Sequence, residues 1–240
     1  MSTFLSLVNR VNRRVNEVEL TSSNFASADG FYATAKDAVN DALFRIDQHQ
    51  FQWPWNHSTH TETLVAGTNR YDFPANTKLI DFDSFRVQRN DTFGNETQYL
   101  AKKDYEEYLK SYADVEYNTT DTSIRQLPRY VAQSQSMDYV VYPVPDEAYD
   151  LDFELYSLAT ELTAHGDTTL VPDNFDNVIT NGAMEFVYDF RGDLDTSQKF
   201  ARKFEDGINE MRTIYINRQS AVKDTRLPSR SGRAPTHVRI

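Results

Sequence analysis

The chain has 240 residues, with 36 acidic and 25 basic side chains, a net charge of −11, and no cysteine. That length holds one elaborate domain or two small ones with core enough to fold unaided, and the missing cysteine excludes disulfides, thiolate metal sites and cysteine nucleophiles. The acidity argues against a surface wrapped tightly on nucleic acid, and no stretch approaches the ~20 apolar residues of a membrane span. The start, MSTFLSLVNRVNRRVNEVEL, intersperses its apolar residues with Asn and Arg, so it lacks the continuous apolar core of a signal peptide.

Phe4, Leu5, Val8, Val11, Val15 and Val18 recur at helical spacing. They predict a helix over about 3–18, capped by Ser2 or Thr3, with Arg10, Arg13, Arg14 and Glu17 on its other face. A second helix is predicted over 29–49, where Phe31, Ala35, Ala38, Val39, Ala42, Leu43 and Ile46 form one stripe. Its small alanines suit close helix contact. The run stops before FQWPW, since Pro54 forces Trp53 out of the helical region.

From Trp55 the period changes to two. Thr61 to Val65, a turn at Gly67 and Tyr71 to Phe73 read as a hairpin. Ile80, Phe82, Phe85 and Val87 predict a further strand with an irregularity near Asp83 and Ser84, then a turn over 91–95 and a return strand over 98–100. A short helix is predicted over 102–113, with Tyr105, Tyr108, Leu109 and Tyr112 on one side. EYNTTDTSIRQ reads as an exposed loop. Strands over 129–133 and 138–142 follow, joined by a Ser-Gln-Ser turn. Over 149–158, Leu151, Phe153 and Leu155 alternate with Asp152 and Glu154.

Pro172 stands just before a helix that Asp173 or Asn174 can cap, with Phe175, Ile179, Ala183, Phe186, Val187 and Phe190 as its stripe. RGDLDT breaks the chain, and Asp195 or Thr196 opens a last helix bearing Phe200, Phe204, Ile208, Met211 and Tyr215. The RGD tripeptide reads more simply as an interhelical loop than as an adhesion motif. Segregated helices and strands indicate α+β. The predicted architecture is a helical bundle built from the N- and C-terminal helices, an inserted antiparallel β-rich region, and an extended C-terminal arm. Its expected divisions are 1–50, 51–165, 166–217 and 218–240.

Local chemistry is sparse. His57, His60 and Glu62 are the nearest approach to a metal cluster, but positions 57 and 60 point to opposite faces of a strand. Asp81 with Asp83, and Asp150 with Asp152, could serve as acid–base pairs; in so acidic a chain they read first as solvated faces. There is no P-loop, Gly-rich dinucleotide motif or nucleophile elbow. The reading is therefore no catalytic residue, no metal and no cofactor. Tyrosines crowd the stretch from Tyr99 to Tyr156, but residues 137–190 hold no Lys or Arg to interleave as a nucleic-acid stacking platform would require.

Residues 218–240 differ from everything before them. They carry six basic side chains against Asp224, a charge of +5 within a total of −11, which leaves −16 on the body. So few large apolar residues cannot offset the ordering entropy, so the segment is expected to order only against something else. It reads as a basic docking arm. Arg218, Lys223, Arg226, Arg230, Arg233 and Arg239 would pair with acidic grooves, and Leu227, Val238 and Ile240 would be its apolar anchors.

Three stretches carry a family likeness. They are FQWPWNHSTHTETLVAGTNRYDFP, DYVVYPVPDEAYDLDFELYSLATEL and LVPDNFDNVITNGAMEFVYDF. In this order they resemble the head-to-tail adaptor (connector or head-completion) proteins of tailed phages, of which tail tubular protein A of short-tailed phages is one type. The middle region is larger than in the most compact members. The resemblance implies a homo-oligomeric ring, typically of twelve subunits, at the head–tail junction of the virion, made in the host cytoplasm and without a membrane. Its implied partners are the portal protein, the tail or nozzle proteins, and double-stranded DNA passing through the lumen without sequence-specific binding. A tail-side ring protein, such as a terminator or tube component, is the alternative reading, and an acidic glycan hydrolase a more distant one.

Overall fold

The computed structural model describes residues 1–91, 94–117 and 121–216. Four helices form one core: α1 (Phe4–Arg14), α2 (Phe31–His49), α4 (Asp176–Phe190) and α5 (Leu194–Tyr215), with α3 (Tyr105–Tyr117) lying elsewhere. Thr3 caps α1 by accepting the Ser6 N–H at 3.3 Å. The helix ends short of the predicted position 18. Asn16 turns to a φ of 59°, and the Glu17 N–H folds back onto the Asn12 carbonyl at 2.9 Å. Val18, counted in the apolar stripe, is exposed. The connection onward is packed. Phe25 is buried with its ring 5.2 Å from Phe4, and Asn9 both donates to the Leu20 carbonyl and accepts its N–H, each at 2.8 Å.

Helix α4 is the centre of the bundle. Gly182 is the reason it can be. A Cβ there would lie 2.7 Å from the Phe204 ring and 2.9 Å from the Ala42 Cβ, so only a hydrogen lets α2, α4 and α5 meet. Asp173 does not cap α4. It accepts a hydrogen bond from the N-terminal amine of Met1 at 2.8 Å, while a 3-10 turn over Asp173–Phe175 leads into the helix. The α5 cap is Asp193, ahead of the expected Asp195 or Thr196; its side chain accepts the Thr196 N–H at 3.1 Å. The RGD tripeptide is thereby accounted for as an interhelical loop. Arg191 donates to Glu17 at 2.9 Å and stands over the Phe31 ring, Gly192 takes a φ of 77°, and Asp193 caps.

Among the described residues the β region has eight strands: β1 (His57–Thr63), β2 (Arg70–Asp72), β3 (Thr77–Asp91), β4 (Gly94–Tyr99), β5 (Ala101–Lys103), β6 (Tyr130–Gln133), β7 (Asp138–Tyr142) and β8 (Asp150–Ser157). They make two four-stranded sheets, ordered β1-β8-β3-β4 and β2-β7-β6-β5. Phe82, Phe85, Val87, Leu151 and Phe153 of the first sheet pack against Val131, Tyr139 and Val141 of the second. On the outer face of the second sheet, Tyr108 of α3 covers Ala132 and Val140, with Tyr105, Tyr112 and Tyr142 around it. Leu109, expected on that side, is exposed.

Two local expectations change and a third holds. The predicted hairpin across Gly67 is instead a crossing between sheets: β1 pairs with β8, and β2 with β7. The Tyr71 hydroxyl closes that turn on Val65 and Thr68. The predicted start of the short helix is extended, because Ala101–Lys103 pair in parallel with β6, and Asp104 begins the helix by accepting the Glu106 N–H at 3.2 Å. This parallel pair makes the second sheet mixed rather than purely antiparallel. The irregularity expected near Asp83 and Ser84 is present as a register shift between Asp81 and Arg86; the Ser84 hydroxyl donates to the Asp81 carbonyl at 2.6 Å and accepts the Glu154 N–H at 2.8 Å. The class is α+β.

Candidate docking interface

Of the carboxylate pairs that invited an acid–base reading, Asp150 and Asp152 sit with Glu154 on the outer face of the first sheet, in a ladder. Cross-strand register places Thr59, Thr61 and Thr63 of β1 opposite Glu154, Asp152 and Asp150 of β8. Each threonine hydroxyl donates to its partner, at 2.9, 2.6 and 3.2 Å respectively. From β3, Arg86 donates to Glu154 at 2.9 Å and Gln88 to Asp152 at 2.6 Å. Desolvation pushes the Glu154 pKa up, but the hydrogen bonds from Thr59 and Arg86 and the charges of Arg86 and His57 outweigh it and hold the group below its ordinary value. These are hydrogen-bonded carboxylates cross-linking a sheet. Asp81 accepts the Asp83 N–H at 3.1 Å as part of the bulge.

His57 and His60 do lie on opposite faces. His57 reaches Glu154 at 3.4 Å and packs on Tyr156, whereas His60 reaches Glu62 at 3.4 Å and packs on Phe153. Among the described residues no group of three or more His, Asp or Glu side chains could hold a metal ion, and no helix is long and apolar enough to cross a membrane. A cleft of about 800 Å³ opens beside the ladder, where Asp150, Glu147 and Asp146 meet Gln88, Gln98 and Arg129. Asp146 accepts the Tyr149 hydroxyl at 2.8 Å, and burial with that carboxylate raises the Tyr149 pKa.

The arm residues Arg218, Lys223, Arg226, Leu227, Arg230, Arg233, Val238, Arg239 and Ile240 lie outside the described residues. The described chain closes on an aromatic cluster at the end of α5. The Tyr215 ring at the end of α5 meets Trp55 edge-on at 5.4 Å and Phe175 at 5.7 Å. Trp55 stacks at 4.5 Å on Trp53, which is fully buried and donates its indole N–H to the Ile46 carbonyl at 2.7 Å. The Trp-Pro-Trp motif thus stops α2, opens β1 and pins the last turn of α5. From the sequence it read as a helix breaker and as part of the family likeness; its contact with Tyr215 is long-range and leaves no local signal.

Comparison with curated proteins finds no match. A family model described as SU10 adaptor protein matches residues 2–232, taking in the bundle, the β region and all but the last eight residues of the basic segment. The head-to-tail adaptor resemblance carried by the three stretches agrees with it. With all but nine of its residues inside that match, the chain belongs to the SU10 adaptor protein family.

Proposed function

We propose that this protein is a structural head-to-tail adaptor of a tailed phage, without catalytic activity, that forms a ring between portal and tail and continues the DNA channel. The observation that carries the reading is the adaptor family match over residues 2–232. The charge contrast supports it: a body of −16 would repel DNA phosphates and let the duplex slide, while a +5 arm docks on acidic grooves. Twenty-three residues extend up to ~80 Å at about 3.5 Å each, enough to cross a neighbouring subunit. Repetition around a ring supplies avidity without a strong single contact, and rings close through heterologous interfaces. The expected stoichiometry is twelve, and the site of action is the head–tail junction of the virion.

The test is particle size by sedimentation or light scattering, for the protein alone and mixed with the portal ring of the same virus. The expected result is stoichiometric addition to the portal, lost when residues 218–240 are deleted while the body still melts cooperatively. Binding to tail proteins but not to portal would make this a tail-side ring protein. Indifference to both would overturn the adaptor reading.

A further inference from the structure

Helix α1 carries Arg10, Arg13 and Arg14 and no acidic residue, a local reversal of sign on a strongly acidic body. Two of the three are neutralised: Arg10 by Asp176 at 2.9 Å and Arg13 by Glu19 at 3.1 Å. Arg14 is different. Its guanidinium donates to the side-chain oxygens of Asn181 at 2.8 Å and Asn177 at 3.5 Å, both neutral, and it has no carboxylate partner among the described residues. Desolvation against α4 and the neighbouring Arg10 both lower its pKa from the usual value, as expected for a cation lacking a counter-charge.

Arg14 forms one wall of a groove of about 520 Å³, and Lys203 of α5 stands on the other. The floor is α4 itself, through Asn177, Asn181, Met184 and Tyr188. Steps of four, three and four residues put these on a single stripe of the helix. The groove is therefore one helix wide, with cationic walls and an amide and aromatic floor. On α4 the residues that meet α2 are elsewhere: Gly182 approaches Ala42, and Arg45 stands over Phe186. At about 100° per residue these fall on the far side of α4 from the groove. Helix α2 turns two exposed carboxylates outward, Asp37 and Asp41, one turn apart and without an ion pair among the described residues.

We propose that the groove between α1 and α5 is the receiving half of a subunit contact, occupied by the outer face of α2 from a second copy of this chain, with Asp37 and Asp41 against Arg14 and Lys203. The inference rests on the ring reading above. Charge complementarity selects the occupant: the chain's own +5 arm would be repelled, whereas a helix with two free carboxylates supplies the missing counter-charges. Because groove and α2 lie on opposite sides of α4, the contact repeats head to tail, as a ring needs. The aromatic floor, with Tyr188 and Phe200 stacked at 5.5 Å, suits a protein segment better than a phosphate backbone.

The test is a charge swap in the full-length chain, read by sedimentation of assemblies on the portal ring. Arg14→Glu with Lys203→Glu should raise the protein concentration for half-maximal assembly at least about tenfold, and Asp37→Lys with Asp41→Lys should do the same. Combining all four should restore assembly. Should the reversed variants melt early, Arg14→Gln with Lys203→Gln replaces them, with a smaller loss expected. If the wild-type chain adds to the portal and the groove variants add equally well, the inference fails while the ring stands. If the wild-type chain does not add at all, the ring reading fails first. Loss without rescue overturns α2 as the occupant, and a groove variant that assembles normally but loses affinity for duplex DNA assigns the groove to phosphates instead.

Discussion

Lys78 of β3 and Asp47 of α2 form an ion pair at 3.0 Å, with side chains only 8% and 6% exposed. The Lys78 amine also donates to the backbone carbonyls of Asp47 and Gln50, and Asp47 accepts from Asn56 at 2.6 Å and from the Ala159 N–H at 3.4 Å. The helical and β cores are separate apolar clusters, so this polar knot is one of the ties between them. Removing one partner leaves a buried charge uncompensated. Lys78→Ala should lower stability by about 3–5 kcal/mol, read as a shift of the urea midpoint. Lys78→Met with Asp47→Leu should recover much of the loss. Equal loss in the single and double variants would show that the pair is not the source.

Gly182→Ala tests the close approach of three helices. The added methyl meets Phe204 at 2.7 Å and Ala42 at 2.9 Å. Overpacking of this kind costs about 1–3 kcal/mol, even though alanine is the better helix former by roughly 1 kcal/mol. Thermal unfolding should show a net loss. A gain would mean that the bundle yields there.

Trp55→Ala removes the ring that joins Trp53 to Tyr215. Each aromatic pair contributes about 0.5–1.5 kcal/mol beyond its area. Amide exchange should accelerate in the last turn of α5, near Met211 to Tyr215, while α4 stays protected. If the adaptor reading holds, docking on the portal should weaken with it. Unchanged exchange at the α5 terminus would separate the Trp motif from the root of the arm.

The acid limb of stability has identifiable origins. Backbone N–H groups of Thr163 and Ala164 hold the Asp167 pKa below its ordinary 3.8, and the side chain and N–H of Thr196 do the same for Asp193. A carboxylate whose pKa is lowered by folding stabilises fully above the unfolded value, and that contribution fades as pH falls through the folded one. The melting temperature should therefore hold from neutral pH to about pH 4 and drop below it. Asp193→Asn keeps a capping oxygen without titrating, so together with Asp167→Asn it should make the decline shallower. An unchanged slope would place the acid sensitivity in other carboxylates.

Much of this protein was legible as local pattern. The helical stripes of α2, α4 and α5 (Phe190, exposed at the end of α4, excepted), the alternation of Leu151, Phe153 and Leu155, the bulge near Ser84 and the α+β class all follow from periodicity that burial enforces. The basic segment after Asn217 was visible as composition alone, and the family likeness rested on three short stretches. What failed was decided at a distance. Ala101–Lys103 carry helix-compatible residues, yet β6 draws them into a parallel ladder. The strands flanking Gly67 look like a hairpin, but each finds its partner in a different sheet. Asp173 has the chemistry of a cap, but the chain's own amine occupies it.

The sequence by itself determined most of the helical and extended segments, where the charge reverses and which family the chain resembles, because those properties depend on near neighbours. Only the tertiary structure decided that three acidic residues of β8 are bonded by three threonines of β1, that a tryptophan at position 55 anchors the helix ending at 215, and that Arg14 faces Lys203 across α4 with no counter-charge among the described residues. Those relationships join residues 87 to 189 positions apart, and a long-range contact is set by how whole faces pack rather than by any spacing along the chain.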